Sequence, residues 1–504
     1  MSRNQKKLVV VNSATGLIFE LVSIVCGMIL PRLILGKMGS NYNGVTTSIT
    51  QFLSFITIVR SGIGGVSKVH LYKSLANKDS AQLNIIMRSI NKFMFRVSCI
   101  YVIGLLLISI CYPLLVANEF GWLFSFSLVL IIGISSLFEN LLGFSSMILL
   151  QADQREYIIS ASNIIAIILS TVVAAVLINL NSSIHIVKLG SAVVFTLKPV
   201  FLYFYTKRKY NLQTKRIKPQ MELLNQRKDA VVHAVAEFIH LNTDVVILTA
   251  FSNSFEISVY TVYYIIINGL RKLVRSLTSN IEALLGGLHA NKDESKFKSV
   301  FKTFEYCIFL FSAIIFSCCA VLSEPFVMVY TKGVTDVNYS RPIFAYLIAI
   351  AELIYTIRLP YQYVIRVYGK FKDTKWISIG EACLNILISI VLVKRFGVIG
   401  ISIGTLVAMI FRTLTYSEYV SNKILKYGYK NRICGIILSL LTFLGSVLVK
   451  QLLIQCFLIE NYFQWCVFAI LIFLASTIIA VSFSFLLFKN ELLSLKQYIH
   501  RKNK

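Results

Sequence analysis

Fourteen apolar runs, each about 20–30 residues long, follow one another along this chain with short polar connections between them. A helix of that length crosses the ~30 Å hydrocarbon core of a bilayer. Backbone amides find no water there, so only helices and closed barrels span it, and runs this long are helical. The expected spans are residues 10–36, 42–66, 93–116, 121–150, 157–180, 185–206, 229–251, 258–287, 303–325, 341–367, 376–395, 398–421, 433–456 and 462–488. With 56% of 504 residues hydrophobic and only 14% charged, composition leads to the same class. The expectation is an all-α polytopic membrane protein of about fourteen transmembrane helices.

Lysine and arginine orient it. The loops on one side, with both tails, hold 34 of them, and the opposite loops hold five: Lys37, Lys332, Arg341, Lys394 and Arg395. The positive-inside rule then makes both termini cytoplasmic. The net charge of +27 belongs to this asymmetry and to anionic membrane lipids, not to nucleic acid. Arg3, Lys6 and Lys7 precede an apolar run that is too long for a signal peptide, so it reads as a retained first span. All ten cysteines fall in apolar segments without a C-x-x-C pair, which points to packing rather than disulfides or zinc. No loop is long enough for a soluble catalytic domain, and no G-x-x-x-x-G-K-[ST] loop is present, so neither an enzyme nor an ATPase is expected. Val66–Ala76 reads as an amphipathic helix along the inner surface, with Val66, Val69, Tyr72 and Leu75 toward lipid.

The basic stretch 207–228 divides the chain. Residues 1–206 form a first half of six spans, and 229–421 form a second half of six. Residues 422–504 add two spans and a tail. A weak echo links the halves, Asn163-Ile164-Ile165 against Asn385-Ile386-Leu387. Repeats with a site at their interface are a common transporter plan.

Charges inside spans are expensive and mark function or buried pairs. The seventh span carries His233, Glu237, His240 and Asp244 within about 60° of one helical face. The eighth carries Arg271, Lys272, Arg275 and Glu282 on one face, with the first two near its middle. Two readings stand side by side: the two stripes neutralise each other, or the surplus cations line a cavity for an anionic substrate. Arginine forks fit phosphate oxygens. No fixed metal is expected, since H-E-x-x-H is lacking, but His and carboxylates that change charge suit H⁺ or Na⁺ coupling. In the first span Ser13, Gly16, Glu20, Ser23 and Gly27 share a face that reads as a small-residue seam, with Glu20 needing a partner or a cavity. Arg32 and Arg60 are placed to snorkel outward and inward respectively, and Lys198-Pro199 marks a kink beside a charge. Glu352 and Arg358 lie in the tenth span, Glu381 and Asn385 one turn apart in the eleventh, and Arg412 in the twelfth. Arg358 and Glu381 are placed to pair.

The run PRLILGKMGSNYNGVTTSITQFLSFITIVRSGIGGVSKVHLYKSLANKD opens the resemblance of this chain to a known family. LNTDVVIL (241–248), EPFVMVYTKGVTDVNY (324–339), IRLPYQYVIRVYGKFKDTKWISIGEACLNILIS (357–389) and FGVIGISIGT (396–405) continue it. In their order and spacing these resemble the bacterial polysaccharide repeat-unit (O-antigen and capsule) flippases of the multidrug/oligosaccharidyl-lipid/polysaccharide exporter superfamily. The resemblance covers spans one to twelve and is strongest from 241 to 412. It implies a MATE-like fold, two pseudo-symmetric six-helix lobes around a central cavity, with two further C-terminal helices. It also implies alternating-access transport of polyprenyl-pyrophosphate-linked oligosaccharide across the bacterial cytoplasmic membrane. A polysaccharide polymerase and glycosyltransferases would be the partners. Asp244, Arg358, Glu381, Asn385 and Arg412 fall on the matching positions as cavity or gate residues. Members often have an acidic residue where this chain has Arg60-Ser61-Gly62, so a coupling role does not transfer to that position.

The substrate-binding set expected from both lines is Arg32, Arg271, Lys272, Arg275, Arg358, Asn385 and Arg412. The coupling and gating set is Glu20, Glu237, His240, Asp244 and Glu381. The alternatives are a multidrug (cation) exporter of the same superfamily, a flippase for a lipid-linked peptidoglycan precursor, and a membrane glycan polymerase or ligase. The excess of intramembrane cations argues against the first, and the short outer loops argue against the last.

Overall fold

The computed structural model describes residues 3–60, 63–213, 217–221, 228–455 and 457–489. Among them the chain is all helix and connections. The early helices are α1 (Arg3–Lys37), α2 (Ser40–Ile56), α3 (Ile63–Ala76), α4 (Ser80–Leu115), α5 (Trp122–Phe138) and α6 (Phe144–Ala152). α7 (Glu156–Asn179), α8 (Ile184–Lys209), α9 (Lys228–Phe251) and α10 (Ser254–Ala290) follow. The rest are α11 (Glu294–Tyr330), α12 (Pro342–Val367), α13 (Phe371–Phe396), α14 (Val398–Tyr419), α15 (Lys430–Ile454) and α16 (Tyr462–Leu487). A π-helical segment, Glu139–Gly143, joins α5 to α6 so that the two run on as one.

Eleven helices among the described residues are long and apolar enough to cross a membrane. The expected spans outside that set correspond to α2, α9 and α10, so the set is compatible with fourteen. Side chains such as Leu123, Val391, Phe463 and Leu486 are more than 70% exposed. So much exposed apolar surface suits contact with lipid.

The chain forms two compact units, Met1–Val259 and Tyr260–Lys504. In the first, α1 lies on α7, α7 on α8, α8 on α5, and α5 on α4. Its core gathers Val45, Ile49 and Leu53 of α2 with Tyr101 and Tyr112 of α4 and Leu128 and Val129 of α5. The first helix is tied down by Asn12, which donates to the Gln154 carbonyl (2.8 Å) and accepts from the Tyr157 amide (2.9 Å). It is not held by a glycine seam: a Cβ at Gly16 or Gly27 would touch nothing within 4 Å. Helix α3 forms where an amphipathic helix is expected, and Tyr72 is exposed. Among its described side chains Ser67, Leu71 and Ser74 are the buried ones, and those of Val66 and Val69 lie outside the described residues. The helix packs on α4 and α6, because Leu71 completes a cluster with Leu83, Met87 and Leu149.

In the second unit α11 and α12 are central, and far more of each is buried than of α15 or α16. Helix α11 packs on α12, α15 and α16. The α13–α14 hairpin is tight for a legible reason. Gly397 turns the chain at φ 53°, a conformation that favours glycine. On α14, a Cβ at Gly400 would lie 2.5 Å from the Leu392 carbonyl oxygen. One at Gly404 would lie 2.3 Å from Ser389 Oγ. The small-xxx-small spacing inside FGVIGISIGT is thus what lets the α14 backbone approach α13.

Candidate functional site

Helices α12, α13 and α14 bring three expected residues into one buried cluster. Arg358 Nη1 donates to Glu381 Oε1 at 2.6 Å, which is the pairing that the sequence suggests. Arg412 of α14 donates to the other oxygen, Oε2, of the same carboxylate. One acid therefore bridges two guanidinium groups, and all three side chains are at most 3% exposed. The group carries a surplus of one positive charge. Aromatic faces supply part of the compensation: Arg358 lies 4.9 Å from the Tyr355 ring centroid and Arg412 lies 4.8 Å from that of Tyr416. Arg412 Nη2 also donates to the Tyr416 hydroxyl at 3.0 Å.

One turn along α13 from Glu381, Asn385 donates to Thr405 Oγ1 of α14 at 2.9 Å. This contact sits beside the close approach at Gly404, so NILIS and GISIGT meet through their polar residues. The Nε atoms of Arg358 and Arg412, Asn385 Oδ1 and Ser389 Oγ are buried without a hydrogen-bond partner. Groups of this kind normally cost free energy unless another state or a ligand satisfies them.

A second cluster centres on α10. Arg271, near the midpoint of that 37-residue helix, donates Nε to Glu352 Oε2 of α12 at 2.7 Å and Nη2 to Oε1. The fork is bidentate, and Glu352 is 1% exposed. Arg271 thus takes its carboxylate from within its own unit. Its guanidinium lies near the rings of Tyr264 and Tyr355, at 5.6 and 6.0 Å. Lys272 is half-buried and Arg275 is exposed, on the same helix. Further along, Arg366 reaches Glu282 at 3.4 Å.

In the first unit, Asp244 is buried on α9, which packs on α2. The side chains of His233, Glu237 and His240 lie outside the described residues. Glu20 and Arg32 are half-buried on α1. Arg60 does not snorkel: its Nη1 donates to Asn140 Oδ1 at 2.9 Å, with the guanidinium 5.5 Å from the Phe144 ring centroid. The π-helical segment presents both Asn140 and Glu139, and Lys198 of α8 pairs with Glu139 at 3.1 Å. Lys198 and Arg412 are each the fifteenth residue of their helices, α8 and α14. Each meets an acid there, Glu139 for Lys198 and Glu381 for Arg412.

Sequence reasoning misses several partners. Tyr355 and Tyr416 stand at i−3 and i+4 from their arginines, a helical spacing that could have found them. Glu305 of α11, 1% exposed, accepts from the hydroxyls of Tyr361 and Tyr427. Lys450 of α15 pairs with Glu324 at 3.5 Å. No local spacing signals these two.

No family model and no curated protein sequence matches the chain. Solved structures do. The lipid II flippase MurJ in an inward closed conformation superposes with a TM-score of 0.66 at 14% identity, over 94% of this chain and 100% of that one. The MATE multidrug transporter DinF-BH gives 0.61 at 14% identity, over 83% and 95%. An inward-facing multidrug-resistance MATE transporter of the MOP superfamily gives 0.53 at 13% identity, over 82% and 99%. The chain has the fold that these flippases and transporters share.

Proposed function

We propose that this protein is a flippase, not an enzyme, and moves polyprenyl-pyrophosphate-linked oligosaccharide units across the bacterial cytoplasmic membrane for surface polysaccharide synthesis. The observation that carries this reading is the cationic face of α10. Arg271 is held rigid near mid-helix by Glu352, and Lys272 and Arg275 stand beside it and one turn on. A pre-oriented guanidinium with neighbouring cations is what a pyrophosphate headgroup requires of a membrane interior. Arg32 would contact the glycan. Glu381 would act as a gate that rearranges as the site opens to one membrane face and then the other, freeing Arg358, Arg412 and Asn385 of the same buried cluster to contact substrate. Glu20, Glu237, His240 and Asp244 would carry H⁺ or Na⁺ coupling. The polymerase and glycosyltransferases of the same glycan would work alongside, and both termini would be cytoplasmic.

Proteoliposomes loaded with a polyprenyl-pyrophosphate oligosaccharide test this, with external lectin reporting the flipped glycan. Arg275→Ala and Lys272→Ala are expected to slow flipping about tenfold each while leaving thermal stability in place, since a charge-assisted contact contributes about 1.5–3 kcal/mol. Wild-type flipping rates in both variants would sink the assignment. A second reading, transport of a peptidoglycan precursor, draws support from the match that takes in 94% of the chain. Swapping the loaded glycan lipid for that precursor separates the two.

A further inference from the structure

At the end of α8 that the positive-inside rule makes cytoplasmic, an open cleft of about 420 Å³ is lined by Phe201, Phe204, Tyr205, Arg208 and Lys209. We infer that this cleft holds one anionic phospholipid of the inner leaflet, with its phosphate on Arg208 and Lys209 and its acyl chain along Phe201 and Phe204. Positions 201, 204, 205 and 208 fall on one face of the helix. Phe201 and Phe204 are 52% and 54% exposed on what would be the lipid side of the unit. Seven residues separate Phe201 from Arg208, about 10 Å along the axis. That is the step from the upper hydrocarbon to the phosphate level of a leaflet.

Cations in the last turn of a helix need no ligand to account for them, because they complement the helix dipole. Lys207 and Lys209 fit that account further by lying over the rings of Tyr203, Tyr205 and Tyr210 at 5.5–5.9 Å. Arg208 differs. Among the described residues its guanidinium, with five donors, has neither an acid nor a ring against it, and with Lys209 it lines an otherwise aromatic cleft. An aromatic wall that ends in an unpaired guanidinium and an ammonium matches a phospholipid in both parts, apolar to apolar and cation to phosphate. Neither the α10 cations nor the transport reading enters this inference.

Native mass spectrometry of the detergent-purified full chain, titrated with phosphatidylglycerol and with phosphatidylcholine of the same acyl chains, tests it. The wild-type protein is expected to bind the first phosphatidylglycerol about tenfold more tightly than phosphatidylcholine. Arg208→Ala/Lys209→Ala should erase that preference, and Arg208→Lys/Lys209→Arg should keep most of it. Should the alanine pair fail to fold, Arg208→Gln alone carries the same expectation. Equal affinity of the wild type for the two lipids, or an unchanged preference in the alanine pair or in Arg208→Gln, would overturn the proposal. So would a variant that keeps the phosphatidylglycerol preference but loses added polyprenyl pyrophosphate, since the cleft would then dock that phosphate instead.

Discussion

Glu381 accepts from Arg358 and Arg412 at once in a place where none of the three is more than 3% exposed. Removing the shared acid leaves two buried guanidinium groups uncompensated, whereas removing one arginine leaves a neutral pair. Glu381→Gln is therefore expected to destabilise the protein more than Arg358→Ala or Arg412→Ala, by about 3–5 kcal/mol or beyond. Thermal melting in detergent checks the order, and an equal loss in all three would show that the acid is not the hub. The Arg271–Glu352 pair between α10 and α12 gives a cleaner cycle. Arg271→Met alone strands Glu352, but Arg271→Met/Glu352→Gln removes both charges, so the double variant should recover much of the stability that the single one loses. If the double variant melts below both singles, the pair is not coupled as drawn. The Arg358–Glu381 pair was legible in the sequence because both residues sit at similar depth in neighbouring spans. The third member and the Arg271–Glu352 fork were not, because which helix faces which is a property of packing across the unit and leaves no mark in spacing along one helix.

At the scale of elements, the apolar runs mark their helices well. Most span ends fall within a few residues, since hydropathy and length are local quantities. The exceptions are informative: α4 begins at Ser80, thirteen residues before the expected 93, because its polar first turns pack on α3. There Asp79 caps the helix by accepting from the Gln82 amide at 2.9 Å. Close approaches are the other feature that hydropathy does not weigh. Gly44 of α2 faces the first turn of α10, where a Cβ would fall 1.8 Å from the Ser254 carbonyl oxygen. The Ser254 amide is fixed in turn by Glu119 Oε1 at 3.0 Å, so this contact has little room to relax. Gly44→Ala and Gly404→Ala are each expected to lower stability by about 1–3 kcal/mol, as overpacked sites do. Gly16→Ala, which meets nothing, should be neutral or slightly stabilising through helix propensity. Size-exclusion profiles of heated samples separate these outcomes, and a Gly44→Ala protein as stable as the wild type would refute the packing argument.

For the whole molecule, what is at issue is which helices cross. The eleven evident spans leave out α9 and α10, and α10 is the helix with the cationic face. Its 37 residues extend about 55 Å, well beyond a 30 Å hydrocarbon layer. A crossing helix can therefore keep its polar ends in the headgroups. Near its middle Arg271 would cost at least ~2.5–3.5 kcal/mol alone, but the Glu352 carboxylate meets it there. A charge neutralised in place is compatible with crossing, although hydropathy counts it as a penalty. Reporter fusions at Leu212, Asn253 and Asn291 decide the matter, with one reporter active outside the membrane and another inside. If α9 and α10 both cross, Leu212 and Asn291 report the inside and Asn253 the outside. If neither crosses, Leu212 and Asn291 still agree, so those two sites alone would mislead, and the Asn253 fusion is the discriminating one. An inside signal there would remove α10 from the membrane interior and, with it, the cationic face on which a pyrophosphate headgroup could be carried.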